Sequence, residues 1–222
     1  MADALALGGD DGFDLWADGY DKSVGLSDES GTYPFAGYRK VLNRIYNGVL
    51  SGDGKTVLDI GFGTGTLTTK LYDRGCVIYG QDFSQRMIDL AQAKMPQAHL
   101  YQGNFSVGLV DALKKQRYDA IIATYSLHHL SDEDKAAFLK ELLPLLNDGG
   151  TIYIGDVAFQ TSEELNACRK QAGDEWDDDE IYFVYDELKA VFPNLIFEPC
   201  SDCAGVLILP KPDRRMKAHL RK

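Results

Sequence analysis

Between Lys55 and Val157 the chain alternates five short apolar runs with helix-patterned segments, and this rhythm restricts the fold more than any other feature. The runs are TVLDI (56–60), CVIYG (76–80), AHLYQ (98–102), YDAIIAT (118–124) and TIYIGDV (151–157). Helical patterns lie near 65–74, 84–95, 107–116 and 132–146. Gly75, Pro96 and the pair Gly149-Gly150 stand where helices should stop. Strands this apolar, each followed by a helix, belong to a parallel sheet covered on both faces. Past Val157 the rhythm changes to a helix (161–172), an acidic stretch (Asp174 to Glu180) and a second helix (185–192). The runs NLIFEPC and AGVLILP then close the sheet, and the short turn between them predicts an antiparallel hairpin.

The segment before the first strand is less regular. Residues 37–50 place Val41, Leu42, Ile45 and Val49 on one helix face. Residues 13–22 (FDLWADGYDK) predict a short amphipathic helix with Phe13, Trp16 and Tyr20 at helical spacing, and 23–36 reads as a loop. The organisation expected is an N-terminal lid segment (1–36), a main domain (37–210) with a cap inserted at about 158–184, and a basic tail (211–222).

Composition narrows the function. An apolar share of 45% and a charged share of 26% describe an ordinary soluble globule, which excludes a disordered, collagen-like or disulfide-framed chain. No run approaches the ~18 apolar residues of a membrane span, and Met1 to Gly12 has neither the basic start nor the apolar stretch of a secretory signal. A cytoplasmic location is therefore expected, with Cys76, Cys168, Cys200 and Cys203 kept as thiols. The net charge is −11. Residues 211–222 carry six Lys/Arg and one acid, or +5, which leaves −16 on the rest. So acidic a body repels a phosphate backbone, so a small-molecule partner is expected and nucleic acid is not.

The most informative segment is VLDIGFGTG, Val57 to Gly65. An apolar strand enters three glycines at alternate positions, Gly61, Gly63 and Gly65, with Asp59 just before them and a helix after. Glycine is required where backbone turns with positive φ or meets a ligand with no Cβ in the way. The dinucleotide fingerprint G-x-G-x-x-G needs its third glycine at 66, where Thr66 stands. The second strand ends at Asp82, whose carboxylate can accept from paired ribose hydroxyls. Ser84 is better placed to cap the following helix.

This order and spacing resemble the class I S-adenosylmethionine-dependent methyltransferases, in particular small bacterial enzymes of small molecules, including uncharacterised and quinone-biosynthesis-like members. The resemblance covers residues 55–157. It implies a Rossmann-like fold, with a seven-stranded, mostly parallel sheet, an antiparallel last strand and helices on both faces. It also implies S-adenosylmethionine as cofactor and a methyl group passed in line to a small acceptor. In that family the Asp59–Gly65 loop, including Phe62 and Thr64, lies against the methionine part of the cofactor. Asp82 holds the ribose, and Phe83 and Met87 line the adenine pocket. At Gly103-Asn104-Phe105 an amide stands where most members have an acid, and Phe105 is a candidate to stack on the adenine. Thr124, Tyr125 and Ser126 should face the cofactor, and Tyr20 in the lid should cover it.

Candidates for a general base are His128, His129, Tyr20 and Asp156, on position alone. One histidine should pack near the cofactor while the other faces cleft or solvent. Adjacent residues diverge and no Cys or His cluster supports them, so no metal site is expected. Cys200 and Cys203 form a single pair in a hairpin turn, short of a zinc set. Alternatives from other classes are a non-catalytic S-adenosylmethionine-binding protein and an NAD(P)-dependent oxidoreductase.

Overall fold

The computed structural model describes residues 32–212. The lid helix expected over 13–22, with Tyr20, and most of the basic tail lie outside the described residues. The chain forms α1 (Tyr38–Leu50), β1 (Thr56–Ile60), α2 (Thr66–Asp73), β2 (Val77–Asp82), α3 (Gln85–Lys94) and β3 (His99–Gln102). It continues through α4 (Asp111–Lys114), β4 (Tyr118–Thr124), α5 (Asp132–Leu142) and β5 (Leu146–Phe159). The residues after β5 supply α6 (Ser162–Ala172) and the short β6 (Phe183–Val184), before α7 (Tyr185–Val191), β7 (Ile196–Pro199) and β8 (Ala204–Pro210).

The sheet order is β3-β2-β1-β4-β5-β8-β7, with β6 paired to the end of β5. β8 is antiparallel to both of its neighbours, and the pairings among β1 to β5 are parallel. Strand alternation sends Leu58, Ile121, Ile152 and Leu207 to one face, under α5 and α7. It sends Val57, Ile122, Val206 and Ile208 to the other, under α1, α2 and α3. The expected two-faced parallel sheet with its antiparallel last strand is therefore the one observed.

Two helices are shorter than their patterns suggest. Over 107–116 only a 3-10 turn (Phe105–Val107) and the single turn α4 form, because Gly108 leaves the helical region with φ 105°. The pattern at 132–146 yields α5 to Leu142, then a 3-10 turn containing Pro144. Strand β5 starts at Leu146, earlier than expected, and Gly149-Gly150 sits in a break of its register against β4, not at a helix stop.

α1 lies directly on β5. A Cβ at Gly155 would come within 2.3 Å of Val41 Cγ1 and 2.8 Å of Ile45 Cδ1. Gly155→Ala should therefore destabilise the fold by about 1–3 kcal/mol through overpacking. The change should lower the urea midpoint at unchanged m-value, while Gly52→Ala, whose nearest neighbour is 3.6 Å away, should leave it where it is.

Candidate active site

The chain lays down β1, β2 and β3 outward, then returns to place β4 on the other side of β1. The carboxyl ends of β1 and β4 therefore meet where strand order reverses, the crevice in which open α/β sheets hold ligands. Gly61 to Gly65 leave β1 at this point and Thr124 to Ser126 leave β4 beside them.

Gly61 has φ 69°, and a Cβ there would stand 2.5 Å from Ser126 Cβ. The Ser126 hydroxyl donates to Ile60 O at 2.9 Å, tying the two strand ends together. Gly63 has φ 54° and nothing within 4 Å of the position a Cβ would take, so this stretch of backbone faces open space. Phe62 turns the other way, into the core against Gly80, and Thr64 O accepts from Lys94 Nζ at 3.0 Å. Gly65, also at positive φ, caps α2.

Asp59 is fully buried and accepts a hydrogen bond from Thr68 in α2, so it braces the loop from beneath. Burial raises its pKa to about 7; the Thr68 bond opposes the shift and the Asp82 charge adds to it. An unfolded aspartate titrates near about 3.9. The folded state thus holds the proton more tightly, and stability falls as pH rises from about 4 to about 7. Asp59→Asn should flatten that part of the stability profile, as measured by urea unfolding at a series of pH values.

Asp82 accepts from Gly63 N through Oδ2 and from Ser84 N through Oδ1, both at 2.9 Å. Ser84 caps α3 as expected, accepting from Met87 N. Met87 is half-buried, and Phe83 is 67% exposed, a large apolar ring open to solvent at the mouth of the crevice. Asn104 Oδ1 accepts from Ser106 N at 2.9 Å, so its amide is partly engaged locally. Phe105 packs in the core with Phe138. Gly103 adjoins Gln81, a fully buried amide that the sequence reading passed over. Its Nε2 donates to Gly108 O and its Oε1 accepts from Val110 N, so it fixes the loop after β3. Its place inside an apolar strand was the available signal.

Past Thr124, Tyr125 has φ 49°, uncommon for a bulky residue, and its ring packs against Phe35 and Tyr38. Its buried hydroxyl has no hydrogen-bond partner, and burial raises its pKa well above the ordinary value, with Asp156 adding to the rise. His128 is buried and His129 exposed, the split expected. His128 Nδ1 lies 2.7 Å from Asp156 Oδ1 and Nε2 lies 3.3 Å from Glu180 Oε1. Burial alone would lower the His128 pKa, but the Asp156 bond and the two carboxylate fields prevail and raise it. Asp156 is fully buried, and its Oδ2 has no partner.

Glu180 lies between α6 and β6 and accepts from Tyr182 OH at 2.8 Å. Lys135 of α5 holds that segment in place. Its buried ammonium donates to Asp132, and to Ile181 O at 2.5 Å and Tyr182 O at 3.4 Å, while Ile181 N donates to His128 O. Tyr33, Trp176 and Tyr182 stack beside it. The Cys200 and Cys203 thiols lie in or beside the β7–β8 turn, each pushed up to about 11 by burial.

A methyltransferase domain family matches residues 57–150, from β1 to the glycine pair. A protein of Geobacillus thermodenitrificans described as an uncharacterized methyltransferase is 35% identical over 190 residues, covering 82% of this chain and 85% of that one. The chain belongs to the methyltransferase family. A second such relative, from Alkaliphilus oremlandii, is 30% identical across 83% of this methyltransferase and 82% of its own length. Among solved structures, magnesium protoporphyrin IX methyltransferase from Synechocystis with bound SAH aligns with a TM-score of 0.66 at 19% identity, covering 91% of this chain and 95% of that one. N-methyltransferase NodS from Bradyrhizobium japonicum, in complex with S-adenosyl-L-homocysteine, aligns at 0.59 with 15% identity, covering 80% and 89%. These likenesses confirm the fold. Among the described residues no helix is long and apolar enough to cross a membrane.

Proposed function

We propose that this methyltransferase transfers a methyl group from S-adenosylmethionine to a small-molecule acceptor in the cytoplasm. The observation that carries the reading is the bare backbone at Gly63. It is held open by a left-handed φ and tethered by its own N–H to Asp82, the acid expected on the ribose. The crevice fits an adenosyl sulfur compound and not a dinucleotide, since a helix-starting Thr66 replaces the glycine that would cradle a pyrophosphate.

The methionine end belongs with Gly61, Gly63 and Thr64, with Phe62 and Asp59 supporting the loop from behind. The ribose belongs with Asp82, which accepts two backbone N–H bonds and keeps lone pairs for hydroxyls. The adenine belongs between the exposed Phe83, Met87 and the Gly103–Asn104 turn, with Phe105 giving the turn its apolar footing. Thr124, Tyr125 and Ser126 border the reacting end, the segment 158–184 is assigned as its cap, and the family resemblance assigns Tyr20 of the segment 1–36 to the cofactor. When bound, the sulfonium supplies an already activated methyl group. The chain's own task is then to align the reactants and exclude water, for which orientation can contribute roughly 7–11 kcal/mol. The neutral Tyr125 phenol and the His128–Asp156 pair are the polar groups offered on the acceptor side. The −16 carried outside the tail disfavours a nucleic-acid acceptor.

Calorimetry with S-adenosylmethionine and S-adenosylhomocysteine is the test. Asp82→Ala and Gly63→Val should each weaken binding about tenfold or more, equal to at least 1.4 kcal/mol. Unchanged affinity in both variants would remove the site assignment, and turnover in an acceptor screen separates an enzyme from a silent binder.

A further inference from the structure

The contact between His128 and Glu180 has no stable explanation as a simple pair of neutral imidazole and carboxylate. Neutral imidazole carries one N–H. Asp156 accepts from Nδ1 at 2.7 Å and is buried beyond reach of other donors except Val157 N, so that hydrogen belongs on Nδ1. Nε2, without a hydrogen, then lies 3.3 Å from a carboxylate oxygen, acceptor beside acceptor. Something positive must lie between them: a second proton on the ring, or a cation.

The third group decides between the two. One ligand atom each of His128, His129 and Glu180 lies within 4.8 Å of the other two. A shared proton has no use for a third donor, whereas a metal ion does. Tetrahedral bonds of about 2.0–2.1 Å put neighbouring ligand atoms about 3.4 Å apart. The His128–Glu180 edge already has this length, and a ring nitrogen of the exposed His129 lies within 4.8 Å of the other two ligand atoms. The surroundings fit as well. A ligating histidine usually donates its other N–H to a carboxylate, which fixes the ring, and Asp156 does this from a fully buried position. Glu180 is delivered by a segment that Lys135 and His128's own carbonyl anchor.

We propose that His128, His129 and Glu180 form a binding site for a borderline divalent cation of the zinc type, oriented by Asp156. Two imidazole nitrogens and one carboxylate oxygen suit such an ion better than magnesium or calcium, which prefer all-oxygen sets. Three protein donors leave a coordination position for water or an acceptor atom. The sequence argument against a metal was that adjacent histidines diverge; the proposal adds Glu180, with a ligand atom within 4.8 Å of one on each histidine.

The inference rests on the methyltransferase reading only for the ion's purpose, so binding is tested by itself. The full chain, stripped with chelator, is titrated with ZnCl₂ by calorimetry and with CoCl₂ by absorption spectroscopy. About one ion per chain is expected, with visible cobalt bands of a nitrogen–oxygen site and no thiolate charge-transfer band. His129→Ala and Glu180→Gln, at exposed and half-buried positions, should each weaken zinc binding about tenfold or more. Absence of saturable zinc binding, a thiolate band that moves the ion to the cysteines, or wild-type affinity in both variants would each overturn the proposal. S-adenosylhomocysteine binding, measured on the same stripped protein, separates the two readings. Nucleoside binding without zinc binding removes the metal alone, and zinc binding without nucleoside binding removes the cofactor assignment alone.

Discussion

The pairing of β1 with β4 is the constraint on which everything else hangs. β1 is hydrogen-bonded to β2 on one side and β4 on the other, both parallel. Its carboxyl end therefore cannot be covered by a crossover helix, because the helices that leave β1 and β4 diverge to opposite faces of the sheet. The opening is a result of topology before any side chain is considered. Ser126 then locks its two rims with a hydrogen bond to Ile60 O, packed so closely on Gly61 that only glycine fits there.

On this frame the polar groups divide into two sets. Gln81 and Ser126 are buried, bond backbone groups, and shape the loops. Asp59, Asp156 and the Tyr125 hydroxyl are also enclosed, but each leaves an oxygen without a partner. Unmet polar atoms in a protein interior cost roughly 1–3 kcal/mol each, and these three lie in or just past the carboxyl-terminal halves of β1, β4 and β5.

Most of the fold was legible in the sequence, because strand runs such as YDAIIAT are apolar on both faces and the glycines interrupt them at turn positions. The boundaries went astray where a single residue overrides a periodic pattern, as Gly108 does to the helix expected over 107–116. The candidate site was legible as a list of loops but not as a set of directions. Phe62 and Phe105 look equivalent to Phe83 in the sequence. Only the tertiary packing turns the first two inward and leaves the third in solvent. Glu180 could not be paired with His128 from the sequence, since an acidic run gives no sign of which carboxylate faces in. Lys135 reads as an ordinary surface lysine of an amphipathic helix, and nothing local announces that it is buried.

That lysine also has a bearing on how the family could diversify. Its ammonium donates to the main-chain carbonyls of Ile181 and Tyr182 and so anchors that segment. The segment at 181–182 and α5 are in this respect one module. Replacing Lys135 with an apolar residue would leave both carbonyls without that donor. Sequence changes in this segment are thus expected to travel together with the helix beneath.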